Sequence, residues 1–252
     1  AVFSDFQLLQ LAPTVAYKFN DEWSVGFAPT IDRAQLAVDP AAFATPNSNG
    51  TYPSAAHAAE SWGWGFQIGV LWQLESDWSF GLSYKSTQWF NEFSWNSADE
   101  NGLPRDIRFD MDFPAIASFG AGYTGVKDWT FAADLRYIDY ENTDGFQQAG
   151  FSPTGSVTGF GWDSIMVLAL GAQWQINEKF SVRAGYSYND NPIPDANTFW
   201  NVPAPAIIQQ HLGLGASLHL SSGMTLDLAY THGFTNSISG PIYGPTGPIP
   251  GS

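Results

Sequence analysis

Residues 180–189 read Phe-Ser-Val-Arg-Ala-Gly-Tyr-Ser-Tyr-Asn, and the alternation is unbroken. Phe180, Val182, Ala184, Tyr186 and Tyr188 make one row, while Ser181, Arg183, Gly185, Ser187 and Asn189 make the other. Successive side chains of an extended strand point to opposite faces, so this is a strand with one greasy face and one small polar face. The pattern recurs from Leu212, where Leu212, Leu214, Ala216, Leu218 and Leu220 oppose His211, Gly213, Gly215, Ser217 and His219. It recurs again from Trp78, where Trp78, Phe80, Leu82 and Tyr84 oppose Ser79, Gly81, Ser83 and Lys85.

Working outward, the strand at 180 is entered through the short polar turn Asn177-Glu178-Lys179, and four similar turns punctuate the chain. They are Asn20-Asp21-Glu22, Glu75-Ser76-Asp77, Gly125-Val126-Lys127-Asp128 and Ser221-Ser222-Gly223. The connections between these hairpins are much longer. In an up-and-down antiparallel meander, all tight turns fall at one end and all long loops at the other, the plan of an outer-membrane β-barrel. Ten strands can be drawn: Phe6 to Phe19, Trp23 to Ala37, Trp62 to Leu74, Trp78 to Phe93, Ile107 to Thr124, Trp129 to Tyr140, Trp162 to Ile176, Phe180 to Asn189, Gln209 to Leu220 and Met224 to Phe234. Most exceed the roughly 9–11 residues that a tilted strand needs to cross a bilayer.

The 252 residues are 16% aromatic, with 11 Trp, and only 13% charged, which disfavours a surface of salt-bridged helices. The longest apolar run, Ile165 to Ala172, is far short of the roughly 20 residues of a membrane-spanning helix, so any spanning must be done by strands. Cysteine is absent, which excludes disulfides and thiolate metal sites. A net charge of −15 argues against nucleic acid as a partner. Most acids lie in or near connections, where solvent surrounds them. The stretch Ala1 to Asp5 has no charged start or cleavage site, so the sequence is expected to be processed or truncated.

Two architectures share this pattern. In a soluble β-sandwich the greasy faces of two sheets pack on each other, whereas in a barrel they face lipid. Aromatics flank the tight turns in pairs: Phe19 and Trp23, Trp72 and Trp78, Tyr123 and Trp129, Trp174 and Phe180. Rings at one height on successive hairpins form a girdle at a lipid–water interface, and a sandwich core has no reason to gather them there. The polar rows carry Lys18, Lys85, Asp134, Arg136, Arg183 and Asp227. Facing lipid, each of these would cost about 2–4 kcal/mol near the midplane; facing a lumen, they meet water or opposite charge. The reading is therefore all-β: an antiparallel up-and-down transmembrane barrel, multi-pass in a bacterial outer membrane, with residues 1–252 one domain and residues 238–252 a Pro/Gly-rich loop or tail. If the tight turns are periplasmic, an odd number of strands should precede Phe6 and another should follow Phe234, which expects a piece of a larger barrel.

The segment Trp162-Asp163-Ser164 leading to Leu170-Gly171-Ala172-Gln173-Trp174, followed by residues Ser181 to Asp195, resembles the late-strand signature of the FadL family. Residues Leu11 to Lys18, Trp62 to Leu71, Gly81 to Ser86 and Leu226 to His232 follow in that family's order. The resemblance implies a fourteen-stranded barrel that passes long-chain fatty acids and other hydrophobic compounds, plugged by an N-terminal hatch. On that template the ten strands correspond to the fourth through thirteenth, so the hatch and the lateral exit map to no residue here.

A capture site for hydrophobic molecules should be an apolar groove on the extracellular side, because removing apolar area from water is worth roughly 25 cal/mol per Å². One candidate loop runs from Asp39 to Ser61, with a short helix expected near Ala55 to Glu60. Trp89, Phe90, Phe93 and Trp95 crowd the outer end of another connection, and Phe199, Trp200, Val202 and Ile207 add bulk in a third. Against this stands ordinary self-packing of loops and an outer girdle. In the lumen, Arg136 or Arg183 could fork onto a fatty-acid carboxylate. The dull alternative is a wall ion pair, such as Asp134 with Arg136. Ser217, His219 and Asp227 hold the residue types of a nucleophilic triad on one hairpin, but without a nucleophile elbow, and no enzyme is expected. Asn142-Thr143-Asp144-Gly145 fails as a calcium loop because Tyr140 and Phe151 stand at its first and twelfth positions; no metal or cofactor is expected. The expected function is passive uptake of fatty acids or hydrocarbons, with a general-diffusion or structural porin as the alternative. The expected partners are a hydrophobic small molecule, the lipid bilayer and lipopolysaccharide.

Overall fold

The computed structural model describes residues 3–220, 223–244 and 247–249. Its strands are β1 Phe3–Leu11, β2 Val15–Lys18, β3 Trp23–Asp39, β4 Ala55–Gln73, β5 Trp78–Lys85, β6 Trp89–Phe90, β7 Phe93–Ala98, β8 Pro104–Phe109, β9 Ala115–Tyr123, β10 Trp129–Asp139, β11 Ile165–Asn177, β12 Phe180–Asn189, β13 Gln210–His219, β14 Thr225–Gly233, β15 Tyr243–Gly244 and β16 Gly247–Pro248. A 3-10 helix covers Asp195–Asn201. One antiparallel sheet follows the path β1-β3-β4-β5-β9-β10-β11-β12-β13-β14, with β2 continuing β1 along β3 and β6 continuing β5 along β4. Along that path each strand pairs antiparallel with the next in the order, and the hairpin β7–β8 is inserted between β6 and β9.

The tight turns are made as their residues dictate. The Asn20 side chain accepts the main-chain N–H groups of Glu22 and Trp23, and Asn177 accepts those of Lys179 and Phe180. These are Asx turns, in which a short amide replaces a main-chain partner. Ser221 and Ser222 of the fifth turn lie outside the described residues, as do parts of the expected tail; within the tail β15 and β16 pair as a two-residue ladder.

The orientation follows the alternation. Trp64 is 62% exposed and Leu228 66%, while the intervening small residues face inward. Just above the tight turns, rings meet across strands: Trp23 stacks on Trp72 at 5.2 Å, Trp78 tilts against Tyr123 at 4.6 Å, and Trp129 stacks on Trp174 at 5.6 Å. Among the described residues the other strands form only the two-stranded ladders β7–β8 and β15–β16, so the greasy faces of this sheet have no second large sheet to stack on, which overturns the sandwich. The fully buried aromatics sit at the other end, among the long connections.

Several boundaries differ from expectation. Residues Ala55 to Glu60 are strand, not helix: Leu36 pairs Ala59 and Gln35 pairs Glu60, and the small Ala55 and Ala59 face a packed core. Tertiary pairing outweighs the helix preference of Ala and Glu. The capture loop therefore shrinks to residues 40–54. Pro13 lacks an N–H and separates β1 from β2. The strand expected from Trp78 to Phe93 is interrupted after Lys85, and that expected from Ile107 begins at Ala115, after Pro114. Pro104–Phe109 turns back on Phe93–Ala98 instead. The strand expected from Trp162 begins at Ile165.

Candidate functional site: an apolar cavity at the mouth

The long connections enclose a cavity of about 300 Å³ at the end of the sheet opposite the tight turns. β1 supplies Phe6, and β3 supplies Leu36 and Val38. The 40–54 loop supplies Phe43, and the segment between β8 and β9 supplies Met111, Asp112 and Phe113. The connection between β10 and β11 gives Phe146, Phe160 and Trp162, and the 3-10 helix gives Trp200. Ser4 on β1 donates to the Pro203 carbonyl at 2.6 Å, which ties the first strand to the β12–β13 connection and curls the sheet around the cavity.

The wall is braced ring on ring. Phe146 lies 5.5 Å from Phe160 and 5.0 Å from Trp162, and Tyr140 meets Trp162 edge-on at 4.9 Å. Offset and edge-on pairs are favoured by the ring quadrupole and add about 0.5–1.5 kcal/mol each beyond burial. The buried Asn201 accepts from the Trp162 indole and donates to the Phe160 carbonyl, leaving neither polar group unpaired. Asp112 is the carboxylate in the lining. Its Oδ1 accepts the Phe90 N–H at 2.8 Å, yet burial dominates and pushes the carboxyl up to about 6, assisted by Asp144 and Asp110.

The aromatic residues singled out from the sequence separate here. Trp200 lines the cavity, with Phe199 edge-on to it at 5.0 Å and Tyr243 tilted against it at 5.1 Å. Phe93 and Trp95, 0% and 1% exposed, are packed behind the wall; Trp95 lies 5.2 Å from Phe43, which does face the cavity. Phe90 turns inward onto Gly63 and stacks on Phe93 at 6.3 Å. Trp89 points the other way, outside, against Trp64 at 4.8 Å. Ile207 is half-buried, and its carbonyl accepts from Asn236 at 2.9 Å. Phe43 lies in the candidate loop from Asp39, whereas Phe146, Phe160 and Trp162 carry no expectation of a site. The signal was present as aromatics in connections that have no alternation to explain them.

Lower down, a depression of about 470 Å³ lies on the inward face, with Ala12, Thr14, Ala28, Gln67, Ser118 and Gly120 in its lining. Arg136 is exposed on the inward row of β10, and the expected ion pair with Asp134 is not among the described ones. Two residues along a strand place both groups on one face but set their Cα atoms well apart. Arg183 donates instead to Gln173 at 3.0 Å and to Ser217, with Asp227 at 3.7 Å. Ser217 donates to Asp227, and the His219 ring pairs with Thr225 at 3.0 Å, so the serine and histidine are not joined as a triad requires.

The family model described as outer membrane protein transport protein (OMPP1/FadL/TodX) matches residues 1–239. The long-chain fatty acid transport protein of Salmonella typhi is 23% identical over 268 residues, covering 91% of this chain and 60% of its own length. This chain therefore spans about three-fifths of the curated relatives it matches. Among solved structures, a Pseudomonas aeruginosa FadL homologue superposes with a TM-score of 0.69 at 19% identity, covering 96% of this chain and 62% of that one. The Ralstonia pickettii toluene transporter TbuX gives 0.67 at 17%, covering 93% and 64%.

Proposed function

The chain belongs to the OMPP1/FadL/TodX family of outer membrane transport proteins, and we propose that it captures hydrophobic small molecules at the cell surface and passes them inward by diffusion. The observation that carries this is the mouth cavity, walled by rings and aliphatic groups. Apolar area leaves water there at roughly 25 cal/mol per Å². Its relatives' names, for long-chain fatty acids and for toluene, bracket the cargo class as fatty acid or hydrocarbon. Lys85 holds its Nζ 5.4 Å from the centroid of Phe113 in the cavity floor, so a carboxylate head could be met there. Arg136 offers a second cation lower in the lumen. The greasy outer rows contact the bilayer, with lipopolysaccharide around the outer rim. The role proposed is conduction, not catalysis.

Equilibrium binding of oleate and of toluene to the detergent-solubilised protein tests this. Phe160→Ala removes part of the wall and should weaken binding about tenfold, or roughly 1.4 kcal/mol. Trp89→Ala, on the outer face, should change nothing. Absence of binding by the unsubstituted protein, together with ready passage of a small sugar in liposome swelling, would favour the general-diffusion porin instead.

A further inference from the structure

Between the mouth cavity and the lower depression lies a layer of fully buried polar side chains. The paired strands β1 and β3 show the same vertical succession. On β3, Ala28 lines the lower depression, Thr30 and Asp32 follow, and Leu36 lines the mouth. Ahead of it, the order is Thr14 and Ala12, then Gln10, then Phe6. On β4, Gln67 below gives way to Gly65 and Gly63; on the β9 side, Ser118 gives way to Pro114 and Phe113.

The layer is closed by Gln88, 0% exposed, from the break between β5 and β6. Its main chain bridges Phe113 in both directions, at 2.9 and 3.1 Å. Its side chain crosses the inward face over Gly65, where a Cβ would collide with the Gln88 amide. There Gln88 Oε1 accepts from Thr30 and from Gln10 at 3.1 Å, while its Nε2 donates to the Ser86 carbonyl at 2.7 Å. Gln10 also donates to Asp32 Oδ1 at 2.6 Å.

Asp32 is 0% exposed, and among the described residues its Oδ2 has no hydrogen-bond partner, the Lys85 cation acting on it through space instead. We propose that Gln88 is the latch of a polar partition between mouth and lumen, and that solute descends only when its side chain is displaced from Gly65. The proposal rests on the transport reading for its purpose, though not for its test.

These 252 residues hold no cysteine, so a thiol introduced among them can report on the lumen once any cysteine elsewhere in the protein is replaced by serine. In the full-length protein in intact cells, Ser118→Cys below the layer and Ser4→Cys above it are exposed to a small, charged, membrane-impermeant methanethiosulfonate. Cys at 4 should react quickly and Cys at 118 slowly. Adding Gln88→Ala should speed reaction at 118 several-fold, and so should Gly65→Ala, which pushes the same amide aside without deleting it. Heat-dependent gel mobility confirms folding, and if one variant fails to fold the other decides. Equal rates at 4 and 118 in the starting protein, or an unchanged rate at 118 in a folded variant, overturns the partition. Oleate and toluene binding at the mouth should survive both substitutions. Its absence from the unsubstituted protein would sink the transport reading alone.

Discussion

Asp112 sits between β8 and β9, outside the strands, with its carboxyl held up to about 6 chiefly by burial. Below the ordinary carboxylate range the group is neutral whether folded or not, and no cost of burying its charge arises. The cost grows as pH rises toward 6 and is complete above it. An apolar ligand beside it deepens the desolvation, so it binds best to the neutral carboxyl. Toluene affinity should therefore fall as pH is raised from about 5 to about 7, and Asp112→Asn should flatten the profile; a flat profile in the unsubstituted protein would refute this. No local signal marked Asp112, because its burial and its contacts with Phe90 and Asp144 arise only on folding. Arg183, by contrast, was legible as an inward wall charge, and its contacts with Gln173, Ser217 and Asp227 follow from strand register.

The hairpin β7–β8 is held by side chains rather than by the main sheet. Phe93, Trp95 and Ile107 are buried against Ala34, Leu36, Ala55 and Ala59 of the tall β3–β4 pair. Deleting a ring from such a core costs about 3–5 kcal/mol. Trp95→Ala should thus make the hairpin tip between Ala98 and Pro104 sensitive to protease added outside cells, while the transmembrane strands stay protected. An uncut hairpin would mean that it is anchored otherwise. This element also shows where period-two reading failed. The outer rings Phe93 and Trp95 alternate as well as any membrane strand does, yet they pair with Ile107 and Phe109 in a separate ladder. Alternation reports a face, not which partner covers it. For the same reason Ala55 to Glu60, rich in helix formers, became the upper end of β4 once β3 stood beside it.

At the scale of the whole chain, the described residues form a curled antiparallel sheet with an apolar outside, an inside of small and polar residues and an aromatic mouth. Single-Trp variants in vesicles carrying brominated acyl chains should separate these zones. Trp174, on the outer face, should be quenched strongly, and Trp95, buried under the mouth, hardly at all. Comparable quenching of both would reject the orientation. That orientation, the positions of the tight turns and the ladder of rings beside them could be read from the residues alone, because alternation and turn chemistry depend only on near neighbours along the chain. The cavity could not. Phe6, Phe43, Phe160 and Trp200 meet only when β1, the 40–54 loop, the β10–β11 connection and the 3-10 helix converge, and side-chain packing between such distant segments leaves no period in the sequence.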